Sequence, residues 1–154
     1  MRKQKGFSLI ELLIVVAIIL IIAAIAIPNL LKARIAANQA SAVGSLRTIV
    51  TSEVGYQASY QTYSVALANL GPSAAVPCVS SLANACLIDA VLAGGTKSGY
   101  LFAYAQTGGG TGFTANADPV TAGTTGDMHY FTDGSGVIRF NAAAPAAVTD
   151  PPLQ

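Results

Sequence analysis

The sequence predicts an α+β chain in which one long N-terminal helix packs against a small antiparallel sheet of three or four strands. Three observations carry that prediction. No polar side chain occurs from Leu12 to Ile27. From Leu30 to about Ser59 the chain is rich in Ala and free of Pro, as a helix requires. From Gly99 onward, short alternating segments are separated by Gly-rich punctuation, the pattern of hairpins.

The first segment is read against the bilayer. Phe7 to Ile27 is interrupted only by Ser8 and Glu11, and as a helix it would be about 31 Å long, the thickness of a hydrocarbon core. Arg2, Lys3 and Lys5 precede it without an acid and favour a cytoplasmic N-terminus. Lys32 and Arg34 on the far side weaken that asymmetry. Three readings meet here: a plain single-pass anchor, a secretory signal cut after Ala26, and a segment whose Glu11 has a purpose. A carboxylate one turn inside an apolar helix is expensive and calls for a partner. Cutting between Gly6 and Phe7 would create one, the new α-amino group of Phe7 on the same chain or on a neighbouring copy.

The run Gly6-Phe7-Ser8-Leu9-Ile10-Glu11-Leu12-Leu13-Ile14-Val15-Val16-Ala17-Ile18-Ile19, continued through Pro28 and Asn29, resembles the N-terminal signature of type IV pilins and type II secretion pseudopilins. The resemblance covers about the first third of the chain. It implies a pilin-like fold and a leader of residues 1–6. A prepilin peptidase would cut after Gly6 and methylate Phe7. A transmembrane and assembly helix over 7–28 would use Glu11 in subunit contacts, and the head would span 29–154. The implied function is a filament subunit, first a single-pass protein of the bacterial inner membrane and then part of a surface pilus. A periplasmic secretion pseudopilus is the alternative, and a secreted binding module freed after Ala26 a third reading. Implied partners are further copies, other pilins, the peptidase, assembly machinery and, before assembly, inner-membrane lipid.

Pro28 lacks an amide hydrogen and is expected to kink or loosen the helix. Beyond it, Leu30 to about Ser59 reads as helix, with Val43, Leu46, Val50 and Val54 on one apolar face and Ile49, Tyr56 and Tyr60 on its flank. A helix from Phe7 to Ser59 would reach about 80 Å, too long for a head this small to cover. Gly71-Pro72 ends the pattern, and Ser73 to Asn84 reads as loop or short helix. Candidate strands are Gly99–Gln106, Gly112–Asp118, Asp127–Thr132 and Val137–Phe140, with Tyr100, Phe102 and Tyr104 alternating against Leu101, Ala103 and Ala105. Asn141 to Gln154, with three prolines, reads as an extended closing strap.

Cys78 and Cys86 enclose a nine-residue segment in a chain read as exported, so a disulfide is expected. His129 is the sole histidine and fits no zinc spacing, and as a strand residue it reads as surface or half-buried. Asp118, Asp127 and Asp133 lack calcium-loop spacing, so no metal is expected. Gly108-Gly109-Gly110 has no following Lys-Ser or Lys-Thr and reads as a hairpin turn rather than a phosphate loop. No catalytic constellation and no cofactor motif is evident. From Val54 onward two cations face five acids, a surplus of acid that disfavours nucleic acid. The expectation is a structural subunit and not an enzyme.

Overall fold

A computed structural model describes residues 7–73, 75 and 77–153. The chain divides into two compact units, one ending at Arg34 and the other beginning at Ile35. The element common to them is α1, Leu9–Tyr60, which contains Pro28 as an internal residue. Ser8 precedes it and Glu11 is its third residue, and the Ser8 amide donates to Glu11 Oε2 at 2.8 Å. This is half of a capping box, in which the carboxylate satisfies one of the amides left free at a helix start.

In the first unit every residue from Phe7 to Arg34 except Ala23 is exposed. In the second unit α1 turns a different set of residues inward: Ala42, Ser45, Leu46, Ile49, Ser52, Glu53 and Tyr56. The buried face is thus rotated from the expected one. Leu46 is common to both, Val43 and Val50 are half-buried, and Val54 is 59% exposed. Small Ala42, Ser45 and Ser52 let α1 approach its neighbours closely, a criterion that hydrophobicity alone does not capture. The helix ends at Gln61, which takes the left-handed conformation (φ 57°) while its amide reaches Gln57 O at 2.9 Å.

After a 3₁₀ turn at Leu67–Leu70 and a one-turn helix α2, Ala90–Ala93, the chain forms a five-stranded antiparallel meander. Its strands are β1 (Thr96–Lys97), β2 (Tyr100–Thr107), β3 (Gly112–Pro119), β4 (His129–Asp133) and β5 (Arg139–Asn141), adjacent in that order. The sheet therefore has one strand more than the expected three or four, because the two-residue β1 is too short to leave a period in the sequence. The expected last strand at Val137–Phe140 forms as β5, displaced toward the C-terminus. The alternation in β2 holds: Tyr100 and Phe102 are buried, Leu101 and Ala103 exposed. Phe113, Ala115 and Ala117 of β3 and Tyr130 of β4 join Leu46 and Ile49 in one apolar cluster.

Gly126 is required by space. A Cβ there would fall 2.6 Å from Tyr100 Cζ, and the Tyr100 hydroxyl instead donates to Met128 O at 2.9 Å. Burial pushes the Tyr100 phenol well above its ordinary range, with the negative charge of Asp127 adding to the effect.

The opposite face of the sheet carries Asn116, Phe131 and Arg139 in register. The C-terminal strap closes over it as expected. Asn116 Nδ2 donates to Ala146 O at 2.8 Å, Arg139 Nη1 to Asp150 O at 2.8 Å, and the Leu153 amide to Ile138 O at 2.7 Å. Phe131 and Ala146 are buried.

Candidate assembly surface

From Leu9 to Leu31 α1 presents large aliphatic side chains on every side, and the Phe7 ring just before it is 82% exposed. A helix apolar all round demands an apolar surrounding on all sides, either lipid or other helices. Glu11 is the lone acid of this stretch, and its carboxylate lies against the Ser8 amide. The capping role was legible in Ser8-x-x-Glu11, a spacing overshadowed by the cost of a charge in lipid. Gly6 lies outside the described residues, so the Gly6–Phe7 junction is known here from sequence. Pro28 sits inside α1, where its ring removes the hydrogen bond that Ala24 O would accept.

The second unit holds the other predicted residues. Cys78 and Cys86 are joined by a disulfide, with Cα atoms 6.3 Å apart. The bonded loop is seated by the Cys86 amide on Gly71 O at 3.0 Å and by the Tyr56 hydroxyl on Leu82 O at 2.7 Å. The closed loop is thereby held to α1.

His129 is half-buried, with Nδ1 at 2.6 Å from Asp118 Oδ1. Asp127 and Asp133 do not converge on that pair, and among the described residues no group of three His, Cys, Asp or Glu side chains could hold a metal ion. The Asp118–His129 pairing depends on the β3–β4 register, which no sequence period encodes. Gly108, Gly109 and Gly110 all have positive φ and form the β2–β3 turn. Gly110 O accepts the Tyr63 amide at 3.1 Å and so ties the end of α1 to the sheet.

One residue passed over by sequence reasoning is central to the head. Glu53 is fully buried, and both the amide and the hydroxyl of Ser64 donate to its carboxylate. Tyr104 lies at the same cluster, donating to Ser64 O at 3.1 Å. Burial raises its phenol above the ordinary range, and the nearby Glu53 carboxylate raises it further. A single acid on an otherwise mixed helix face looks solvated in sequence, and Ser64 is eleven residues away, beyond the helix end.

Residues 1–27 match the family model described as the prokaryotic N-terminal methylation motif. The chain is also 43% identical over 104 residues to the type IV wide pilus major component PilA4 of Thermus thermophilus, a match covering 62% of this chain and 79% of that relative. This chain belongs to the type IV pilin family. The pilin is further 44% identical over 62 residues to the type IV major pilin protein PilA of Myxococcus xanthus, covering 40% of this chain and 28% of that relative. Both relatives are structural pilins, and neither match favours the pseudopilin or secreted-module alternatives.

Proposed function

We propose that this pilin is a structural subunit of a type IV pilus, made as a membrane precursor, cut between Gly6 and Phe7 and methylated on the new Phe7 amine. Residues 1–6 act as the leader, 7–28 as the membrane and assembly helix, and 29–154 as the head. The observation that carries the reading is the uncovered aliphatic surface of Phe7–Leu31. Neighbouring copies would replace lipid around it, and because lipid is equally apolar, close packing and polar pairing must supply the drive. Partners are then other copies, a prepilin peptidase and assembly proteins, and the subunit passes from the inner membrane to the cell surface. The residues that would act do so by contact rather than by catalysis.

Glu11 has two roles in this scheme. In the membrane-held monomer it rests on the Ser8 amide, which lowers the cost of a carboxylate in lipid. On docking it becomes the counter-charge for a Phe7 amine. Replacing it with Ala should leave insertion normal, since an acid at the bilayer centre costs up to ~3 kcal/mol. Fibre formation should fail, because an amine without its partner in a water-poor bundle penalises docking. The test compares sheared fibres with the membrane pool for wild type and Glu11→Ala, and reads the mature N-terminus by mass. Wild-type fibre yield from Glu11→Ala, or a chain beginning at Ile27, would overturn the reading.

A further inference from the structure

The second unit carries three full cations, Arg47, Lys97 and Arg139, and six acids, Glu53, Asp89, Asp118, Asp127, Asp133 and Asp150. Nearly all have a partner within the unit. Lys97 Nζ meets Asp89 Oδ2 at 2.7 Å, Asp118 meets His129, and Glu53 is buried on Ser64. The Asp133 carboxylate accepts the Ser135 amide, Asp150 accepts from Asn141 and Ala147, and the Arg139 guanidinium donates to Asp150 O. Two side chains of opposite sign stand apart from this network. Arg47 is exposed on α1, and Asp127 is exposed in the segment before β4. Among the described residues neither has an ion-pair or side-chain hydrogen-bond partner.

Their environments sharpen the asymmetry. From Leu12 to Ser52 the sequence has three cations, Lys32, Arg34 and Arg47, and no acid, so nothing on that stretch of α1 balances Arg47. Asp127 follows Gly126, beside the phenol of Tyr100, which is neutral and offers no positive charge.

We infer that Arg47 of one copy pairs with Asp127 of another, so that the pilus head contact is fixed by this complementary pair. The inference rests on the pilus reading given above. Complementary groups at two different places on one chain make a heterologous contact, which closes into a ring or continues as an open filament. The planar guanidinium suits a carboxylate better than an ammonium would, and a charge pair of this kind selects register more than it adds affinity. The occupant of both sites is a second copy of this chain.

The experiment uses the full-length chain in its own cells, with sheared fibres measured against the membrane pool for Arg47→Glu, Asp127→Lys and the double variant. Both positions are exposed, and the membrane pool reports whether each variant is made and held normally. Each single reversal sets like charges against each other in every repeat and should cut fibre yield by about tenfold or more. The double reversal restores attraction with the signs exchanged and should return yield to within about twofold of wild type. Wild-type fibres from either single variant would overturn the pairing, as would a double variant no better than the worse single. In those outcomes wild-type fibres still form, so the pairing fails while the pilus reading stands. Absence of fibres in wild type would instead remove both.

Discussion

The two portions of α1 are built from similar apolar residues and meet opposite fates. From Phe7 to Arg34 nearly every side chain is exposed, and the aliphatic residues follow no face. From Ala42 to Tyr56 seven residues are buried, and the outward positions include Arg47, Thr48 and Thr51. The difference lies in what each portion is given to pack on. A helix with one apolar stripe can be completed by a single sheet, whereas one that is apolar all round needs apolar cover on every side, which the described residues do not give it. The same secondary structure therefore serves stability in the head and, on the proposed reading, assembly in the N-terminal portion.

The sharpest way to break this comparison is to remove the same side chain from each portion. Leu46 is wholly buried in the head core, so Leu46→Ala should destabilise the head by about 2–5 kcal/mol. Leu13 is exposed, and Leu13→Ala should leave head unfolding unchanged while altering fibre yield. Urea unfolding of the full chain in detergent, followed by tyrosine fluorescence from the head, checks both. Equal effects would mean that the N-terminal portion folds with the head rather than apart from it.

A smaller effect is expected from the Cys78–Cys86 bond. Replacing both residues with Ser frees a nine-residue loop and should cost the head at most ~2–3 kcal/mol in the chain-entropy account. Membrane insertion should not change, since the bond lies wholly in the second unit. The same unfolding assay, alongside the membrane pool, separates the two. Two free thiols in protein taken from fibres would remove the bond from the account.

The smallest effect concerns Thr132, whose buried hydroxyl has no partner among the described residues. An unpaired buried hydroxyl is unfavourable, and Val has nearly the same shape, so Thr132→Val should be neutral or stabilise the head by up to ~1 kcal/mol. A loss of stability in that assay would mean that the hydroxyl has a partner in solution. Its direction is opposite to that of Leu46→Ala, although both side chains are completely buried.

Much of this was legible in the chain. The Leu12–Ile27 run, the Ser8-x-x-Glu11 spacing, the paired cysteines and the alternation in β2 are local signals, each set by a few residues and a fixed period. The rotated face of α1 was not legible, because Ala42, Ser45 and Ser52 are inward for their small size and the usual apolar criterion points to Val54 instead. Glu53 was missed for a related reason. Its burial depends on Ser64, which arrives only after Gln61 reverses the chain.

The sequence by itself determined that this chain has an apolar N-terminal helix with an acid near its start, a bonded loop, and a head of helix and antiparallel strands. Those follow from hydrophobic period, charge position and turn chemistry, which act between near neighbours. The tertiary structure alone decided which side of α1 is buried, that Asp118 meets His129, that the strap is held by Asn116 and Arg139, and that Arg47 and Asp127 have no partner among the described residues. These depend on strand register and on contacts between residues far apart in the chain, for which the sequence carries no period.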